Sequence, residues 1–108
     1  MEICMTADEF AKSAISNYNR LRQETKEYMI CEINDGLRSA YNTKQKMMVR
    51  LSCPQVFRSV IEDVKEWESI VDEIQKELAN NGFRTTWILI NAKQGYKGIL
   101  TIEVAKYD

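Results

Sequence analysis

The chain has 108 residues, the length of one domain and too short for two cores of ordinary size. Its 44% hydrophobic and 29% charged residues exclude a disordered or collagen-like chain. A formal net charge of -1 gives no global pull toward nucleic acid or an anionic membrane, and the absence of histidine removes the commonest general base, the usual triads and most zinc sites.

Thr6-Ala7-Asp8-Glu9 has the form of a capping box, and Met5 and Phe10 occupy the positions of a hydrophobic staple, so a helix starts here. Phe10, Ala14, Tyr18, Leu21, Tyr28 and Ile33 continue it at helical spacing, and the helix is expected to reach about Tyr41, weakened near Gly36. Asn42-Thr43-Lys44-Gln45 is turn-like. Met47, Val49 and Leu51 then alternate with Met48, Arg50 and Ser52, the pattern of a strand buried on one face.

Ser52-Cys53-Pro54-Gln55 reads as a second cap, with proline in the first turn of a second helix. Phe57, Val60, Val64, Trp67, Val71, Ile74 and Leu78 recur at steps of three and four along that helix, and Asn80-Asn81-Gly82 stops it. Phe83 to Ile90 and Ile99 to Val104 are rich in β-formers and are joined by a polar loop, Asn91 to Gly98, which makes a hairpin. Trp87 and Leu89 fall on one face of the first of these strands, and Ile88 and Ile90 on the other. One side meets the helices, and the other needs cover.

The expected fold is therefore a single α+β domain over residues 1–108, with two long helices on a small three-stranded antiparallel sheet in the order α-β-α-β-β. A helix of about 27 residues is ~40 Å long, whereas a compact chain of this size has a radius of gyration near ~13 Å. Either the first helix bends at Gly36, or the overhang and the spare sheet face are covered by a second copy. A homo-oligomer, dimer or higher, is one expectation.

Gly95-Tyr96-Lys97-Gly98 has the spacing of the GXXG loop by which KH domains clamp a nucleic-acid backbone, but strand-like segments flank it where that fold has helices. A tight hairpin turn is the favoured reading. Cys4, Cys31 and Cys53 are widely spaced and odd in number, as reduced thiols would be, and no metal site is expected. No apolar run approaches the ~20 residues of a membrane span, and the first five residues lack the form of a signal peptide, so the expected location is the cytosol.

The charges are segregated. Residues 36–61 contain no acid and five bases, and residues 62–77 are dominated by acids, from Glu62 to Glu77, that read as the solvated side of the second helix. Lys44, Lys46, Arg50, Ser52 and Arg58 cluster in sequence around the expected start of that helix, where unpaired backbone N–H groups and the positive dipole end suit an anion. The alternative is that Ser52 simply caps the helix and the bases solvate a strand edge. Trp87, Leu89 and Tyr96 are candidate interface residues, with Trp87 equally suited to the core.

The run from Glu32-Ile33-Asn34-Asp35-Gly36-Leu37 through the strand, the second helix ending Leu78-Ala79-Asn80-Asn81-Gly82-Phe83, and the closing hairpin resembles small accessory proteins encoded by bacteriophages. In those the last strand often ends Ile-x-Trp, and here it ends Ile102-Glu103-Val104. The resemblance covers roughly residues 32–104 and implies a phage origin and a bacterial host cytosol, with no functional residues carried over. Together these readings give an expected non-enzyme without cofactor. It would be a stoichiometric binder, an antagonist of a host or anti-phage defence component, whose partner is a protein or an anionic small molecule such as a nucleotide signal. The alternatives are a homo-oligomeric phage assembly protein and a weak nucleic-acid-binding module.

Overall fold

In the computed structural model the described residues are 2–39, 45–91, 93 and 95–105. The elements in chain order are α1 (Ala7–Ser39), β1 (Lys46–Ser52), α2 (Gln55–Arg58), α3 (Val64–Asn80), β2 (Phe83–Asn91) and β3 (Lys97–Val104). The strands form one antiparallel sheet in the order β1-β3-β2. The helices cover one face of it, and the fold is α+β with the expected order, the second helix being delivered in two pieces.

The core lies between the sheet and the helices. Met29 and Ile33 of α1, Phe57 of α2, Trp67, Ile70, Val71, Ile74 and Leu78 of α3, and Leu51, Leu100 and Ile102 of the sheet are all buried. Alternation along β1 and β3 supplies the sheet's share, so the expected inward residues are the ones that pack. Alongside the apolar contact, α1 and α3 are tied by polar pairs that advance together. The Tyr18 hydroxyl donates to Glu66 at 3.1 Å, Arg22 reaches Glu73 at 2.8 Å and Ser69 at 3.0 Å, and Lys26 meets Glu77 at 2.7 Å. Rising numbers on both sides mean that α1 and α3 run parallel.

One expectation fails in an instructive way. The second helix does not start at Ser52, nor does it run unbroken to Leu78. Ser52 stays in β1, paired with Lys97, and Pro54 flanks the four-residue α2 with no side-chain cap. The chain then turns and restarts at Asp63, whose carboxylate accepts from the Lys65 N–H at 2.7 Å while the Glu66 carboxylate accepts from the Glu62 N–H at 2.7 Å. These acids satisfy helix N–H groups that a continuous helix would have satisfied with backbone carbonyls, and the chain takes the local alternative. The true cap was present as Asp63-x-x-Glu66.

Of the two outcomes open at Gly36, a bend or an overhang, the structure has the overhang. The helix passes through Gly36 intact, and the missing side chain lets Met47 and Val49 of β1 approach α1 closely. At 33 residues α1 is ~50 Å long. The molecule accordingly measures 66 × 28 × 23 Å with a radius of gyration of 17.3 Å, and residues 7–12 and 14–17 of α1 are exposed. The expected end of α1 at Ala40 and Tyr41 lies outside the described residues.

Replacing Asp63 by alanine should lower stability by about 1 kcal/mol, seen as a lower urea midpoint with an unchanged slope. Ser52→Ala should stay within about 0.5 kcal/mol of the parent. The reverse order would mean that Ser52 is the cap after all.

Candidate functional site

The glycine-bearing segment is the hairpin connection. Asn91 Oδ1 accepts from the Lys93 N–H at 2.8 Å, turning the chain, and Gly95 takes φ +114°, a conformation that side chains resist. Gly98 lies inside β3, not in the loop as expected. A Cβ there would run into the Trp87 ring and the Ile88 carbonyl, so its role is to let the indole lie flat across the neighbouring strand. Tyr96 closes the turn back onto the body, its carbonyl accepting from the Cys53 N–H at 2.8 Å.

The residues named for anion binding do not converge. Lys44 lies outside the described residues. Lys46, Arg50 and Ser52 sit at alternate positions of β1 and share the sheet face turned away from the core, whereas Arg58 belongs to α2 and lies over Gly95 on the helix side. A helix of one turn, flanked by proline and followed by a break, offers no aligned dipole to complete the site. Trp87, Leu89 and Tyr96 all pack against the core cluster. Trp87 meets the Trp67 ring edge-on at 5.3 Å and donates its indole N–H to Glu68 at 2.7 Å, while Tyr96 stacks on Trp67 at 6.4 Å.

The acids of α3 have partners. Glu66, Glu73 and Glu77 hold α1, and Glu68 holds Trp87, so four of the charges read from sequence as solvated are joints between elements. Burial, and then the bond to Glu66, push the Tyr18 hydroxyl pKa up, which leaves it a proton donor to that carboxylate.

The surface that does gather exposed chemistry is the outer face of the sheet. The register sets Lys46, Glu103 and Arg84 in one row, Met48, Thr101 and Thr86 in the next, and Arg50, Ile99 and Ile88 in a third, with Lys97 beside Ser52. Met48, Ile88 and Ile90 are each more than half exposed. Among the described residues no helix covers them. The face is therefore an apolar strip rimmed by Lys46, Arg50, Arg84 and Lys97 against the single acid Glu103. Alternation in β2 separated Ile88 and Ile90 from Trp87 and Leu89 but left open which pair is uncovered, and the named interface candidates Trp87 and Leu89 turn out to face the core; Arg84 and Lys97 were missed because they join Arg50 only through the strand order.

No family model, curated sequence or solved structure matches this chain. Among the described residues no helix is long and apolar enough to cross a membrane, and no cluster of acids and cysteines has metal-site geometry.

Cys53 is buried, and that burial pushes its thiol from 9.0 up to about 11, with Arg58 pulling the other way. Cys4 and Cys31 are exposed. At about pH 8 two thiols should alkylate in the folded protein and the third only after denaturation, as intact mass will show. Because the folded value is the higher one, the protonated Cys53 contributes its full stability below pH 9.0, and that contribution is lost as the pH rises through about 11. The gap in urea midpoint between the parent and Cys53→Ala should shrink over that interval.

Proposed function

We propose that this chain is a small non-catalytic binding protein that acts stoichiometrically, presenting the outer face of its sheet to an acidic protein surface. The observation that carries the reading is one sheet face that exposes Met48 on β1 and Ile88 and Ile90 on β2, with Ile99 of β3 between them and Arg50, Arg84 and Lys97 around them. An uncovered apolar strip with a charged rim is the usual make-up of a protein contact. The excess of bases selects a partner of opposite sign and speeds its approach.

A nucleotide signal is the weaker fit, because Arg58 and the start of α2 stand on the other side of the sheet from Arg50. The likeness to phage accessory proteins supplies the setting, a host or defence protein as the target, held in the bacterial cytosol without turnover. The same likeness is compatible with an assembly role.

The test is co-purification of the tagged chain from cells that express it, followed by mass spectrometry and a binding titration with the protein recovered. Ile88→Glu and Arg50→Glu should each weaken that binding at least tenfold, about 1.4 kcal/mol, and as surface changes should move stability by no more than about 0.5 kcal/mol. Full binding by both variants removes this face as the site.

A further inference from the structure

The protruding half of α1 has a place to go. The geometry points to a dimer in which two copies pair their α1 helices antiparallel about a twofold axis between Asn17 and Tyr18, each seating Phe10 in a groove of the other. It uses a different surface from the sheet face and does not depend on it.

The groove lies beside α1, between Leu21, Thr25 and Tyr28 on one side and Pro54 and Val56 on the other, with buried Phe57 at its base. It has a volume of about 360 Å³ and a mostly apolar lining. Phe10 is 66% exposed, and among the described residues no element of its own chain lies over it. Tyr28 stands eighteen positions after Phe10, which at 3.6 residues per turn is five whole turns, so the two aromatics have the same azimuth. Ala14 and Leu21 fall on that line too. The uncovered stripe and the groove thus form one continuous seam along one helix, the outward extension of the face that α1 already buries against the body.

A twofold axis across that seam maps its outer half onto its inner half. Placing Phe10 opposite Thr25 puts Ala14 opposite Leu21 and Ala7 opposite Tyr28, so that each large side chain meets a small one. The contact is self-complementary and closes on itself, as a symmetric dimer requires. Glu24, the charged seam position, stands opposite Ala11 and keeps its pairing with Arg20 at 3.3 Å. Phe10 and Tyr28 of both copies would together remove on the order of 400 Å² from water, about a quarter of a ~1,600 Å² standard interface. Val56, also more than half exposed, extends it.

The protein should sediment as a dimer at micromolar concentration. Phe10→Asp and Ala14→Asp should each give monomers with an unchanged circular dichroism spectrum, since neither side chain is buried in its own chain. The arrangement is read with Asn17→Cys in a Cys4→Ser, Cys31→Ser background. Across the axis, paired helices 8–10 Å apart bring the two residue-17 backbones to about 5 Å, within disulfide reach. Mild oxidation should give a covalent dimer from that variant and none from Lys12→Cys, which lies on the opposite side of the helix. A monomeric parent, a dimer that survives Phe10→Asp, a dimer lost to Ile88→Glu instead, or equal cross-linking from residues 12 and 17 would each overturn the proposal.

Discussion

Trp67 is the point on which the three layers close. Its side chain is fully buried, and its indole N–H donates to the Met29 sulfur at 3.3 Å, joining α3 to α1. Trp87 meets it edge-on from β2, and Tyr96 stacks on it from the hairpin loop. A buried indole N–H left without an acceptor costs about 1–3 kcal/mol, so the thioether is a weak partner doing a necessary task. Because one ring contacts helix, strand and loop together, the sheet cannot shift without opening the α1–α3 contact. The glycine at position 98 belongs to the same arrangement, since it makes room for the Trp87 ring that packs there.

With Met29 held against Trp67, the direction of α1 is set, and the ladder from Tyr18–Glu66 to Lys26–Glu77 keeps it parallel to α3. That alignment also determines where the helix runs out of neighbours. α3 begins at Val64, level with Tyr18, and everything in α1 before that residue projects past the body. The overhang is therefore a consequence of the core. It is not a frayed end either, because the Thr6 hydroxyl accepts from the Glu9 N–H at 3.1 Å and the helix is capped from its first turn. A capped helix with exposed Phe10 and Ile15 is shaped for contact.

Much of this was legible from period alone. The α3 stripe, the alternation in β1 and β3 and the stop at Gly82 follow from side-chain spacing and from the positive φ that glycine tolerates, here +88°. The break before α3 was not, because the apolar stripe from Phe57 to Leu78 continues across it and masks Asp63-x-x-Glu66. Ser52 misled for a related reason: its spacing to Gln55 imitates a cap, but a residue paired in a strand cannot also begin a helix. The candidate site was the least legible part. Sequence placed the bases together along one segment, and the fold sends Arg50 and Arg58 to opposite sides of the sheet while importing Arg84 and Lys97 from strands far along the chain.

The net charge of -1 conceals a division of labour between the two signs. Acids of α3 are engaged inside the molecule, holding Arg22, Lys26, Tyr18 and Trp87 in place, where partial burial strengthens each contact beyond what exposed ion pairs supply. Bases of the sheet are turned outward with one acid among them. A partner approaching within a Debye length, ~8 Å at physiological salt, responds to the face in front of it and not to the sum over the chain. The same sequence that is nearly neutral as a whole therefore offers a basic, apolar sheet on one side and a nearly uncharged helical seam on α1. Surfaces so different in charge would discriminate between the two partners proposed for them, an acidic protein and a second copy of the chain.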